Sequence, residues 1–259
     1  MMNTFALIFH QIMYENKTFW RTPASAFFTF AFPLIFLFLL NGIFGDNLIE
    51  SPYGLIRLST FFIPAIIALS VISSCYTNLA IRITFARDVG VLRRIQASPI
   101  PSWIYFLGKI LHTVLISILL ISIILGTGYI LFDVNLPLSN IHLFIIIIIL
   151  GSATFSTLGI ALTSLIPNMD AAPAIVNASI LPLFFISDIF FPIYNAPKFI
   201  TTIANIFPVK AFSSLLQSTF INSTESSINL NSFYLFILLL WLVIGLIIAL
   251  RYFSWKESL

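Results

Sequence analysis

Six long apolar runs constrain the fold of this chain more than any other feature. A bilayer core about 30 Å thick needs roughly 20 apolar residues in one helix, because lipid cannot hydrogen-bond exposed backbone groups. With 59% hydrophobic and 8% charged residues in 259, the chain has too little polar surface to cover a soluble globule. The sequence therefore predicts an all-α integral membrane protein. Its six predicted transmembrane helices are 24–44, 58–81, 110–132, 141–166, 171–191 and 233–250.

The basic residues are distributed unevenly between the two sides of such a bundle. Six spans place both termini on one side, and nine of the twelve basic residues flank the spans on that side. These nine are Lys17, Arg21, Arg82, Arg87, Arg93, Arg94, Lys109, Arg251 and Lys256, whereas Arg57, Lys198 and Lys210 lie opposite. Because cytoplasmic flanks carry the excess of Lys and Arg, we expect both termini in the cytoplasm.

Two segments outside the spans have a pattern of their own. Apolar positions within residues 1–22 recur at nearly helical spacing, which predicts an amphipathic helix on the membrane surface, with an extension of the first span as the alternative. Residues 191–232 are too long for a turn and too apolar for a free loop, and three prolines interrupt them. We expect short helices there that re-enter the outer leaflet, within one membrane domain covering residues 1–259.

The inventory of reactive residues argues against catalysis by this chain. It contains no G-x-S-x-G, H-E-x-x-H or phosphate-loop motif, one cysteine only, and three histidines in different segments. We therefore expect no catalytic residue, no metal site and no cofactor bound by this chain. Asp188 is the exceptional acid near a span, followed by Phe191 and Pro192, and its position fits either an outer gate or the membrane interface.

Small and polar residues form two stripes at helical spacing. Ser152, Ser156, Gly159 and Thr163 share one face of the fourth span, where we expect close helix packing. The second stripe lies on the second span and consists of Ser70, Ser74, Thr77 and Asn78. Ordinary helix packing is the first explanation of this stripe as well, and the lining of a pathway is the alternative.

The polar stretch after the second span carries a family resemblance. The sequence TFARDVGVLRRIQASPIPSWIYFLGKI resembles the segment that joins the second and third spans in type-2 ATP-binding-cassette exporter permeases. The matching residues are Arg87, Asp88, Gly90, Leu92, Arg94, Ser98, Pro99, Gly108 and Lys109, while Ala86 replaces the family's leading Glu. Residues 181–212 resemble the family's exit from the fifth span. The resemblance extends over nearly the whole chain.

This resemblance implies a division of labour between subunits. A cytoplasmic coupling helix within residues 82–109 would dock on a separate cassette subunit, present in two copies, which binds ATP and Mg. The coupling residues would be Arg82, Arg87, Asp88, Gly90, Leu92, Arg93, Arg94, Ser98 and Pro99. The alternative for the arginines is a role only as cytoplasmic anchors.

The resemblance also implies a transport pathway between two permease halves, which we expect to form a homodimer in the cytoplasmic membrane of a prokaryote. Faces of the second and fifth spans would line it, and Asn177 joins the candidate lining residues. The many Phe residues favour an amphipathic or lipid-like cargo, such as a drug or a lipid. Two alternatives remain: an ion-coupled or facilitative secondary transporter, and a membrane-embedded transferase or protease.

Overall fold

Eleven helices of the α type form the described part of this computed structural model, which covers residues 4–45, 47–51, 54–97, 101–192, 196–221 and 231–253. They are α1 Thr4–Trp20, α2 Pro23–Phe44, α3 Leu58–Ile72, α4 Leu79–Asp88, α5 Val91–Gln96, α6 Ser102–Phe132, α7 Ile141–Leu162, α8 Ala172–Phe185, α9 Lys198–Ile206, α10 Pro208–Ile221 and α11 Ser232–Tyr252. A π-helix, Ser73–Asn78, joins α3 to α4. Short 3-10 turns precede and follow α7.

The chain is a multi-pass membrane protein by the length and composition of these helices. Five helical segments are long and apolar enough to cross a bilayer: Ala26–Phe44, Leu58–Asp88, Trp103–Phe132, Leu138–Leu165 and Ser232–Tyr252. The bent pair α9 and α10 raises the number to six if that pair counts as one span. The membrane class is thereby confirmed, whereas six separate spanning helices remain a prediction.

The fifth predicted span, 171–191, differs from the expectation. Its helix α8 covers 14 residues, which corresponds to about 21 Å of helix and is shorter than a bilayer core. The backbone leaves the helix after Phe185, and Asp188 then adopts a left-handed φ of 56°. Hydrophobicity alone predicted a continuous helix because the apolar run continues through this break.

Two short antiparallel strands lie between the first two spans. Strands β1 (Leu48–Ser51) and β2 (Gly54–Arg57) pair antiparallel, with Leu48 opposite Arg57. Apart from this hairpin, the regular structure of the described residues is helical. The hairpin connects the end of α2 to the start of α3 directly, because Arg57 is followed by the first residue of α3.

Helix α3 forms the centre of the bundle. Every residue from Phe61 to Ile72 is buried, which is typical of a helix that is apolar on all sides. Helices α2, α6, α7 and α10 pack around it. Helix α7 approaches the following π-helix so closely that a Cβ on Gly159 would lie 2.9 Å from the Tyr76 carbonyl oxygen. The absence of a side chain at Gly159 is therefore a condition of this packing.

Helices α9 and α10 form a sharply bent pair, of which α9 is mostly exposed and α10 mostly buried. Their axes meet at 94°, which is the geometry of either a broken span or a re-entrant hairpin. Trp241 in α11 donates a hydrogen bond of 2.8 Å to the carbonyl of Ile206 at the bend. Helix α10 is mostly buried, and Asn140 before α7 donates to the carbonyl of Thr219 near its other end at 3.4 Å. Pro208, Phe212 and Phe220 of α10 thus belong to the protein core, whereas Phe199 of α9 is exposed.

Candidate functional site

The N-terminal helix α1 is fastened to the bundle by a buried carboxylate. Glu15, 2% exposed, accepts contacts from Arg82 at 3.0 Å and from Lys109 at 2.9 Å. A Cβ on Gly108 would lie 2.3 Å from Cγ of Gln11, so the glycine lets α1 cross α6 closely. The sequence pair Gly108-Lys109 therefore has a clear structural role in this protein, which is to hold α1. Arg82, expected at a partner, is engaged within the chain.

Arg87 holds the exit of α7 to the end of α4. Arg87 is 3% exposed. Its guanidinium donates to the carbonyls of Thr163 at 3.0 Å, Ile166 at 2.7 Å and Pro167 at 3.3 Å. Ile166 and Pro167 follow the last helical turn, where backbone carbonyls lack the N–H partners of a continuing helix, and the Thr163 carbonyl also accepts from the N–H of Ile166 at 3.4 Å. The Arg87 side chain therefore points into the chain and acts as a clamp on the turn between α7 and α8.

Asp88 extends this clamp to the next helix. Its carboxylate accepts one hydrogen bond from Nε of Arg87 at 3.2 Å and another from the backbone N–H of Met169. Met169 lies three residues before the start of α8. The two adjacent residues Arg87 and Asp88 thus tie the end of α4 to both sides of the turn between α7 and α8.

The next turn of the chain presents a short helix toward the outside of the bundle. Gly90 has a φ of 76°, a left-handed conformation that glycine adopts without a Cβ penalty, and α5 begins directly after it. Leu92 is fully buried against Ala86 and Tyr105, which fixes α5 on its own chain. Arg93 and Arg94 are exposed. Ser98 and Pro99, the last two candidate coupling residues, lie outside the described residues.

The polar stripe on the second span lines a cavity. Ser70, Ser74, Thr77 and Asn78 share with Ser73 one wall of a space of about 240 Å³. The opposite wall belongs to α2 and consists of Phe28, Thr29, Phe32 and Pro33. The structure therefore brings all four predicted residues together, with hydroxyl and amide groups on one side and aromatic rings on the other. The π-helix adds Ser73, which the stripe pattern did not single out.

The remaining pathway residues are distributed over two places. Asn177 is exposed on α8 and does not line the cavity beside α2. Asp188 is 1% exposed and forms an ion pair with Lys210 of α10, while Ser213 and Gln217 donate to the Asp188 carbonyl at 3.4 and 3.2 Å. Phe191, by contrast, is exposed, and Pro192 is half-buried.

The stripe on α7 is buried along its whole length. Ser152, Ser156 and Thr163 are each 2% exposed or less, and Gly159 lies against the π-helix. Buried hydroxyls of Ser152 and Ser156 have no hydrogen-bond partner among the described residues. The close approach at Gly159 is what a face of small residues permits.

Sequence reasoning missed three functional contacts in this region. It counted Lys210 as an outer-loop charge and Glu15 only as a polar position of the N-terminal helix, although each forms a buried ion pair. It also missed the 2.7 Å hydrogen bond between the hydroxyls of Tyr76 and Ser179, which joins the π-helix to α8. An isolated acid in an amphipathic helix and an isolated lysine after a proline were the available signals. Among the described residues, no group of three or more His, Cys, Asp or Glu could hold a metal ion.

Spanning helices, a cavity with hydroxyl and amide groups along one wall and an exposed basic helix at one end are features that a multi-pass membrane protein of the transporter class would have. Residues 6–221 match the model of the ABC-2 type transporter family. The chain therefore belongs to this family and is a permease of it, as the sequence motifs predicted. Membership implies association with an ATP-binding cassette subunit.

Individual proteins similar to this chain are also named as transport permeases. The chain is 26% identical over 223 residues to a protein named as the transport permease ycf38 in Porphyra purpurea, covering 82% of this chain and 74% of that protein. It is 20% identical over 175 residues to a protein named as the multidrug ABC transporter permease YbhR in Escherichia coli K12, covering 67% of this chain but 47% of that protein. The chain thus spans about half the length of the bacterial relative.

Proposed function

We propose that this chain is the membrane-spanning subunit of an exporter that moves an amphipathic or lipid-like substrate across the cytoplasmic membrane of a prokaryote. Two copies of a cassette subunit would supply the energy by binding and hydrolysing ATP with Mg, and two identical permease chains would face each other. The permease itself would catalyse no reaction. The observation that carries this proposal is the clamp formed by Arg87 and Asp88.

The clamp offers a rigid connection between a docking surface and a moving helix. Movement of α5 would be transmitted through the left-handed turn at Gly90 to Arg87 and Asp88, because these two residues are hydrogen-bonded to the turn before α8. Charge-assisted hydrogen bonds are roughly twice as strong as neutral ones, so the connection resists being pulled apart. Movement of the partner would then tilt α8 relative to α3, which is a rigid-body mechanism.

The docking surface would consist of the exposed side of α5. Arg93 and Arg94 are exposed there, whereas Arg82 and Arg87 are directed at their own chain. Exposed Val89 adds an apolar contact next to the arginines. An acidic groove on the cassette subunit would complement this surface, because opposite charges steer and orient protein association.

The cavity beside α2 supports an amphipathic cargo. One wall carries the hydroxyls of Ser70, Ser73 and Ser74, and the other carries the rings of Phe28 and Phe32. Such a cavity suits a molecule with one polar and one apolar side, since apolar pockets with a few convergent polar groups bind small ligands. Asn177 on α8 would face the partner permease, and Asp188, Phe191 and Pro192 would lie at the outer gate.

A secondary transporter is less well supported by the charges of the bundle. Such carriers use unpaired or exchangeable ionisable groups within the membrane. Here Asp188 and Lys210 are engaged with each other, and Glu15 is engaged with two cations. Transport that continues after ATP depletion would nevertheless favour the secondary carrier.

Docking is tested by reversing one exposed charge. Arg94→Glu should reduce co-purification of the cassette subunit at least about five-fold, because one repulsive contact replaces an attractive one at the centre of the surface. Arg57→Glu, an equally exposed arginine in the β-hairpin on the other side of the bundle, is the matched control. Tagged chains would be purified in mild detergent, with ATPase activity and unfolding midpoint measured on each sample.

The outcomes separate docking from folding. Loss of the cassette subunit from Arg94→Glu but not from Arg57→Glu, at an unchanged unfolding midpoint, supports the proposed surface. Equal recovery of the cassette subunit with both variants would contradict the docking role of α5. Absence of any ATPase from the wild-type sample would contradict the exporter proposal as a whole.

A further inference from the structure

A cavity of about 520 Å³ lies between α1, α4, α5 and α6, separate from the cavity beside α2. Arg82, Lys109 and Glu15 line its charged side, while Ile81, Phe85 and Ile95 contribute apolar surface. The lining carries two positive charges and one negative charge. An anionic ligand is therefore favoured there over a neutral or cationic one.

Arg82 and Lys109 have more N–H groups than their contacts with Glu15 use, so they can donate to a further acceptor. A guanidinium has five N–H donors and an ammonium has three. Glu15 accepts one contact from Arg82 and one from Lys109, and the Lys109 ammonium also lies 5.0 Å from the centre of the Tyr105 ring. Most of the N–H groups of Arg82 and Lys109 thus have no acceptor among the described residues. A group with several oxygen acceptors, such as a phosphate, matches this surplus.

Tyr105 supplies an independent indication. It lines the same cavity and is 3% exposed, yet its hydroxyl has no hydrogen-bond partner among the described residues. A buried hydroxyl without a partner is costly, so most such groups in proteins are satisfied by protein, water or ligand. A phosphate oxygen held by Arg82 and Lys109 would be such a partner.

The position of the cavity identifies the source of the phosphate. Phe5, Phe9 and Met13 are exposed on α1, on the side away from Glu15, and so face the lipid. Exposed Phe85 stands at the cavity itself, where an acyl chain could lie against it. Basic pockets beside membrane helices on the cytoplasmic side bind the headgroups of anionic lipids. A cavity open at the level of a surface helix is reached directly from the bilayer.

We propose that the phosphate headgroup of an anionic membrane phospholipid binds between Arg82, Lys109 and Tyr105, and thereby fastens the surface helix α1 to the spanning bundle. This site is distinct from the cargo cavity. It depends neither on the nature of the cargo nor on the cassette subunit.

Tyr105→Phe tests the proposal without disturbing the packing. The ring keeps its contacts with Leu92 and Ala86, and the lost hydroxyl has no described partner within the chain. The unfolding midpoint in lipid-free detergent should therefore stay at the wild-type value. Tyr129→Phe, on the same helix but exposed near its other end, is the matched control. The full chain would be titrated with phosphatidylglycerol or phosphatidylcholine in detergent micelles, with thermal unfolding followed by tryptophan fluorescence.

Wild type should be stabilised by phosphatidylglycerol and much less by phosphatidylcholine. Tyr105→Phe should bind phosphatidylglycerol about ten-fold more weakly, as expected for one hydrogen bond to a charged group. Arg82→Gln removes the surplus positive charge of the cavity, so this variant should bind phosphatidylglycerol about five-fold more weakly than wild type does. The stabilisation of each variant is measured relative to the lipid-free state of the same variant. Tyr129→Phe should bind as wild type does.

Four results would overturn the proposal. The first is equal stabilisation of wild type by both lipids, and the second is unchanged phosphatidylglycerol binding by Tyr105→Phe. The third is stabilisation by free glycerol 3-phosphate as strong as that by the lipid, which would assign the site to a soluble phosphate compound. A loss of lipid-free stability in Tyr105→Phe would show that the hydroxyl already has a partner in the protein, and would also count against a ligand role.

Discussion

Arg87→Met should detach the turn between α7 and α8 from the end of α4. The arginine donates to three carbonyls, those of Thr163, Ile166 and Pro167, at 3.0, 2.7 and 3.3 Å. Methionine fills similar space but donates no hydrogen bond. At about 1 kcal/mol for each of the three hydrogen bonds lost, the substitution should lower the free energy of unfolding by about 3 kcal/mol.

The assay is unfolding of the full chain in mixed micelles by titration with a denaturing detergent, followed by tryptophan fluorescence. Arg94→Met is the control, because it makes the same chemical change at an exposed position of the same segment and should cost no more than about 0.5 kcal/mol. Arg87→Lys should be intermediate, since a single ammonium cannot span three carbonyls as a planar guanidinium does. A loss in Arg87→Met no larger than in Arg94→Met would refute the clamp.

The same variant separates docking from coupling. Arg87 is 3% exposed, so its loss leaves the exposed side of α5 chemically unchanged. We expect Arg87→Met to retain the cassette subunit on purification and to lose most of the cargo transport that ATP drives. Loss of the cassette subunit itself would show that Arg87 shapes the docking surface and does not act only behind it.

The buried ion pair and the helix crossing give two further predictions. Asp188→Asn should lower the free energy of unfolding by about 3 to 5 kcal/mol, because it leaves Lys210 buried without an opposite charge. Adding Lys210→Met should restore most of that loss. A coupling free energy below about 0.5 kcal/mol in the double-mutant cycle would contradict the pair. Gly108→Ala should cost about 1 to 3 kcal/mol by forcing Gln11 and α1 away from α6. Gly126→Ala on the same helix, where a Cβ would meet nothing within 4 Å, should be neutral or stabilising, and equal effects of the two changes would argue against the close crossing.

Features that depend on residues close together in the sequence were predictable, and features that depend on residues far apart in the sequence were not. The stripe Ser70, Ser74, Thr77 and Asn78 was predictable because helical periodicity places those residues on one face, and they do line one cavity. Gly90 was predictable as a motif residue, and its left-handed φ gives the physical reason. The direction of Arg82 and Arg87 was not predictable, because their partners are 67 and 76 to 80 residues away along the chain.

The break in the fifth span has the same origin. Hydropathy measures the affinity of a segment for lipid, and residues 171–191 are apolar enough for a continuous helix. The helix instead ends at Phe185, shortly before Asp188, which pairs with Lys210 of a later helix. An ion pair between distant segments is invisible to any local pattern, since each residue alone is only an isolated charge.

The sequence by itself determined that this chain is a membrane protein, where its main apolar helices lie and which permease family it belongs to. Those properties depend on composition, local periodicity and a motif of adjacent residues, each of which is complete within a short stretch of chain. Only the tertiary structure decided which arginines face the chain and which face outward, that Glu15 holds α1, and that a cavity beside α2 has the polar side chains of the second span along one wall. These features depend on contacts between residues that folding brings together from distant parts of the chain. A buried charge without a partner is costly, so a charged side chain in low-dielectric surroundings pairs with an opposite charge or a hydrogen-bonding group.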